Sequence, residues 1–150
     1  MYSAYLAQHK FIDSSFLLMN GDVFFDDIII TELLSDRYID SIVVEKGVYI
    51  EESMKVKLNG DRISRISKQI PRSEAYGVSI DVYKFSSEGS RAFFQKMAEY
   101  IEIKKDLKQW TEVALNDILS EVQFKPCLLK GRWMEIDNHD DLKKAEDIFA

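Results

Sequence analysis

Two short segments, Phe16-Leu17-Leu18-Met19-Asn20-Gly21-Asp22 and Trp133-Met134-Glu135-Ile136-Asp137, each set an acid at the end of an apolar run. A carboxylate on a short turn behind a strand, with Gly21 leaving room for a phosphate, is preorganised at little conformational cost. Brought together, Asp22 and Asp137 would hold a divalent cation against a polyphosphate, and the chemistry would be nucleotidyl transfer. Each acid also has a plainer reading. Gly-Asp is a common turn dipeptide, and Asp137 directly before Asn138 supplies negative charge near a helix start. Alternation along Trp133 to Asp137 puts Glu135 and Asp137 on one side, facing one pocket or one solvent surface.

The elements that must carry these acids alternate between helix and strand. Tyr2 to Lys10 has helical spacing, and Phe16 to Asn20 reads as a strand buried on both faces. Asp26-Asp27 open a helix over Ile28 to Leu34, where negative charge suits the helix dipole. Ser41 to Glu45 is a β-branched strand. Met54 to Leu58 and Ile63 to Ile66 alternate across Asn59-Gly60-Asp61, a hairpin with Asn-Gly supplying positive φ angles and projecting from a sheet. Tyr76 to Phe85 is a longer strand, and Ser86 or Ser87 caps a helix through Phe93, Phe94 and Met97, where Phe93, Phe94 and Tyr100 are read as core. A helix over Trp110 to Glu121, a strand over Phe124 to Leu129, and a final helix opened by Asn138 complete the chain. The result is an α/β sheet flanked by helices, in which ligands gather at the carboxyl ends of strands.

Composition narrows the classes. The 150 residues, 46% hydrophobic and 31% charged, suffice for one domain with a real core. No apolar run approaches the roughly 20 residues of a membrane helix, the start lacks the zones of a signal peptide, and a cytoplasmic protein is the default expectation. A net charge of -6 with scattered basic residues argues against a general nucleic-acid binder. The single cysteine, Cys127, is read as a small buried side chain.

Taken together, Phe16 to Asp26, the Met54-Lys55-Val56 and Ile66-Ser67-Lys68 hairpin, Tyr76-Gly77-Val78, and Trp133 to Asp137 followed by Asp140-Asp141-Leu142 and Ala145 resemble the nucleoside-triphosphate transferase superfamily. The branch most similar contains phosphocholine cytidylyltransferases and sugar-phosphate nucleotidyltransferases. The resemblance implies a partial Rossmann-like nucleotide-diphospho-sugar transferase fold, with a mixed sheet, flanking helices and a projecting β-hairpin. It implies transfer of a nucleotidyl group from an NTP to a sugar phosphate or amino-alcohol phosphate, with release of pyrophosphate. Asp22 and Asp137 then match the carboxylates that hold catalytic Mg2+. Lys68 matches a lysine that meets the acceptor phosphate, its plainer reading being a solvated hairpin lysine. Gly77 matches a glycine beside the acceptor, against a strand glycine at a bulge. Glu112 matches an acid near the acceptor, where aromatic neighbours such as Trp110 would suit an ammonium headgroup; helix-start electrostatics is the alternative. Trp133 completes the substrate-binding set.

One departure is large. The family's glycine-rich, arginine-bearing loop has no counterpart, since Gly21, Gly47, Gly60, Gly77, Gly89 and Gly131 are isolated. The expectation is therefore the metal and acceptor part of a nucleotidyltransferase domain over 1–150, inactive or weak alone, either a fragment of a longer chain or a subunit that self-associates as a homo-oligomer through an exposed sheet. A noncatalytic binding or assembly module derived from the same fold is the alternative.

Overall fold

The structure is a computed structural model that describes every residue except Asp36 and Tyr38. Helices α1 (Tyr2–Leu6) and α2 (Gln8–Phe11) lead into β1 (Phe16–Met19), β2 (Val23–Phe25), α3 (Ile28–Leu33) and β3 (Asp40–Lys46). The hairpin of β4 (Lys55–Asn59) and β5 (Arg62–Ser67) precedes β6 (Gly77–Phe85). Then come α4 (Ser87–Ala98), a π-helical turn over Glu99–Ile103, α5 (Thr111–Ile118), β7 (Phe124–Leu128), β8 (Trp133–Glu135) and α6 (His139–Phe149).

Six strands make a mixed sheet in the order β5-β4-β6-β3-β7, with β1 also on β6. The β-branched run of β3 is buried on both faces, as a strand covered from two sides requires. It pairs antiparallel with β6 and parallel with β7. Ile42 and Val44 pack with Phe93 and Phe94 of α4 and Leu115 and Ile118 of α5, whereas Val43 packs with Ile29, Leu33 and Cys127 on the other face. Layers of helix thus flank the sheet, and β2 pairs with β8 in a separate two-stranded ribbon.

Local chemistry sets the ends of these elements. Ser86 caps α4 by accepting from Gly89 N at 3.0 Å, and its own N and Oγ donate to the two Asp40 oxygens at 2.8 Å. Burial pushes the Asp40 carboxyl up, against the pull of those Ser86 bonds. A Cβ at position 89 would collide with Asp40 Oδ1, which is why a glycine sits there. Asn138 caps α6, accepting from Asp140 N and Asp141 N at 2.9 and 3.0 Å.

Several details differ from the sequence expectation. The Tyr2 to Lys10 helix breaks at Ala7 into two short pieces with no buried residue, so no packing holds one continuous helix there. Phe16, Leu17 and Leu18 are half-buried and Met19 is exposed, because β1 pairs along one edge only. In the hairpin only Gly60 has positive φ, at +65°; with Gly60-Asp61 as the central residues, this is the pattern of a type II′ turn. The hairpin leaves the sheet through two residue pairs between β4 and β6, and Ile63 and Ile66 of β5 are buried in the core that includes α5.

Candidate active site

The ribbon of β2 and β8 is what carries the two aspartates. Val23 lies opposite Glu135 and Phe25 opposite Trp133, and beyond the last pair Ile136 N donates to Asp22 O at 2.9 Å. Phe24 packs edge-on against Phe149 of α6 at 5.4 Å, seating the last helix on the ribbon. The far end is clamped by Asp26, which accepts from Arg132 N at 2.7 Å, Nε at 3.0 Å and Nη2 at 2.7 Å. Those Arg132 bonds hold the Asp26 carboxyl below its usual range. A short paired ribbon therefore fixes where two remote turns end.

Both turns open on one cavity of about 440 Å³, bordered by Asp22, Asp137, Glu135, Lys68 and Glu112 among others. Asp22 and Asp137 are exposed at its rim and Glu135 is half-buried. Burial pushes the Glu135 carboxyl up, the charges of Asp137 and Asp22 add to the rise, and Lys68 opposes it. That pattern is the electrostatic mark of three acids facing one space. Lys68 directly follows β5, with its Nζ 4.9 Å from the centre of the Trp110 ring, and Trp110 also borders the cavity.

Two residues of the expected set lie elsewhere. Gly77 is buried in β6, where a Cβ would collide with the backbone oxygen of Glu45; its bareness serves strand-to-strand approach. Trp133 donates from Nε1 to Glu45 Oε2 at 2.8 Å and borders a different hollow, beside Ile148. Its ring is tied to β3.

The floor holds residues that motif reading passed over. On β6, Ile42 of β3 faces Tyr83 and Val44 faces Ser79, so Ile80, Asp81 and Val82 bulge opposite Val43. Asp81 takes φ +58°, an uncommon conformation for a residue with a side chain and one that Asp and Asn tolerate best. Its N donates to Ser79 Oγ at 3.0 Å, its Oδ2 accepts from Asn20 Nδ2 at 3.1 Å, and Asn20 N donates to Asp81 O at 3.2 Å. Tyr83 Oη lies 2.8 Å from Asp81 Oδ1 and 2.7 Å from Glu112 Oε1. Burial, then the Glu112 charge, pushes the Asp81 carboxyl up to about 7. Polar residues at alternate positions of the otherwise apolar Ser79-Ile80-Asp81-Val82-Tyr83 run were the available signal, since buried polar groups are the informative exceptions.

The residues present fit magnesium. The donor set at the rim is carboxylate oxygen, the hard ligand this ion takes, and one or two carboxylates completed by water and phosphate are its usual protein share. Among the described residues no group of three or more His, Cys, Asp or Glu is placed to cage a metal by itself.

No family model matches the sequence, and no curated protein sequence matches it either. Solved structures do. The chain is similar to the inositol-1-phosphate CTP transferase from T. maritima, at 21% identity and a TM-score of 0.74 over 98% of this chain and 59% of that one. It is similar to UDP-glucose pyrophosphorylase complexed with UDP-glucose, at 14% identity and a TM-score of 0.71 over 98% and 60%. It is also similar to CTP:phosphocholine cytidylyltransferase from Streptococcus pneumoniae, at 14% identity and a TM-score of 0.64 over 99% and 63%. Among the described residues no helix is long and apolar enough to cross a membrane. The chain has the mixed α/β fold of these nucleotidyltransferases and spans about six-tenths of their length.

Proposed function

We propose that this chain carries the metal-binding and acceptor-binding side of a nucleotidyltransferase, which moves a nucleotidyl group from a nucleoside triphosphate to a phosphorylated small molecule and releases pyrophosphate. One observation supports the reading above the others: Asp22 and Asp137, remote in sequence, border one cavity beside the β2–β8 ribbon. Magnesium bound by these carboxylates supplies neutralisation of the charge that builds on the α-phosphate. Asp22 and Asp137 hold their oxygens at the rim for that purpose. Lys68 offers a point charge to the acceptor phosphate, and Trp110 borders the same end. No protein nucleophile is needed, because the acceptor phosphate attacks directly.

Triphosphate binding is the part this sequence supplies least, since its glycines are isolated and make no anion-binding loop. Transfer by these residues alone is accordingly weak or nil. That same feature favours the competing reading, a noncatalytic binding or assembly module. Calorimetric titration with Mn2+ separates the two. The parent binds one ion, and Asp22→Asn and Asp137→Asn each weaken it by about tenfold or more, as loss of a charged ligand should. Equal binding in all three proteins removes the metal site and leaves a likeness of fold.

A further inference from the structure

The cavity floor is one hydrogen short for the contacts it makes, and what it would bind rests on the acceptor-binding reading above. The Tyr83 hydroxyl has one hydrogen and sits within 2.8 Å of two carboxylate oxygens, Asp81 Oδ1 and Glu112 Oε1. With both acids ionised, one of those contacts would press an oxygen lone pair against a carboxylate. A second proton therefore resides in the group when no ligand occupies it, until rising pH removes it. Asp81 and Glu112 are only 9% and 6% exposed, and among the described residues neither forms an ion pair with a lysine, arginine or histidine. Two buried acids that no cationic side chain pairs with are costly unless one stays neutral or a cation arrives.

The charged surroundings are mostly negative. Asp81 faces Asn20 from the turn after β1, Tyr83 on its own strand and Glu112 from α5, and the Glu135 charge on β8 adds to the rise of its carboxyl. Lys68, directly after β5, and Asp22 border the same cavity. The Met1 amino group lies within reach of the Glu112 charge, although burial lowers its proton affinity.

We propose that Asp81, Tyr83 and Glu112 form a subsite for a primary ammonium group on the acceptor, which displaces the shared proton and takes over its hydrogen bond. The balance is simple. The empty subsite holds one more proton; the arriving ammonium brings one positive charge, one proton leaves to solvent, and an N–H replaces the lost O–H donor. A quaternary ammonium carries the charge but no N–H, and a neutral hydroxyl carries neither the charge nor any reason for the proton to leave. The acceptor class is thus a phosphoryl compound bearing a primary amine.

Calorimetry tests this with O-phosphoethanolamine, phosphocholine and glycerol 3-phosphate, each titrated in two buffers of different ionisation enthalpy. At pH 6 O-phosphoethanolamine releases about one proton more from the parent than from Asp81→Asn, a difference in which the ligand's own phosphate titration cancels, and at pH 8.5 the difference vanishes. It binds about tenfold or more tightly than the other two ligands. Asp81→Asn keeps the backbone conformation that Asn tolerates and abolishes both the proton release and the preference. Equal affinity for all three ligands, no excess proton at pH 6, or an unchanged Asp81→Asn protein overturns the proposal. Mn2+ binding through Asp22 and Asp137 is read separately, so loss of the ammonium subsite and loss of the metal site are distinct results.

Discussion

The two acid pairs of this cavity differ in how the fold holds them. Asp22 and Asp137 stand on turns at the ends of a two-stranded ribbon, exposed at the rim. Asp81 and Glu112 sit on a strand bulge and a packed helix, nearly closed off from water and joined through one tyrosine hydroxyl. The same functional group therefore meets two environments. At the rim water remains available to complete the coordination of a cation, whereas at the floor the low dielectric makes a proton or a bound charge obligatory.

That contrast is sharpest in stability against pH. The Asp81 carboxyl rises from an ordinary 3.8 to about 7, so the native state holds its proton over a range where the unfolded chain has lost it. Stability from this group is full below about pH 4 and is lost as pH rises toward about 7, by on the order of 4 kcal/mol at most. Asp81→Asn should remove that loss, and its gain over the parent in urea unfolding should grow between pH 4 and pH 7. A gain that stays flat between pH 4 and pH 7 would erase the distinction between rim and floor.

A smaller effect separates packing from ligand contact. Gly77→Ala should destabilise by about 1–3 kcal/mol, because the new Cβ meets the backbone of β3 and overpacking costs that much. Thermal unfolding reads it, and Mn2+ affinity measured well below the midpoint should be unchanged. A stable Gly77→Ala protein that loses only acceptor binding would restore the glycine to the site. Smallest is Trp110→Ala, which removes the ring 4.9 Å from Lys68. Such an exposed contact is worth about 0.5–1 kcal/mol, so acceptor affinity should fall two- to fivefold in a titration with O-phosphoethanolamine while metal affinity holds.

Much of the frame was legible in the sequence, and for physical reasons. The β-branched run at Ser41 to Glu45, the Ser86 and Asn138 caps, and the hairpin strands about Asn59-Gly60-Asp61 are local signals read by local forces, and each element formed near where expected, with the turn centred on Gly60-Asp61. The turn positions of Asp22 and Asp137 were legible because a strand end and an acidic turn are also local. The bulge at Asp81 was not, because nothing in Ser79 to Tyr83 announces a feature that depends on the register between β3 and β6. The placement of the Trp133 ring was hidden for a related reason: its direction is set by Glu45, a residue far away in the chain. The short strand β2 escaped as well, since three residues carry too little periodicity and owe their form to β8.

The central claim is that two distant aspartates serve one cation. Crystals soaked in Mn2+ and measured at the manganese edge test it most directly. The account predicts a single anomalous peak within coordination distance of a carboxylate oxygen of both Asp22 and Asp137, with water completing the shell. A peak held by one of them with other partners, or no peak at the rim at all, would contradict it.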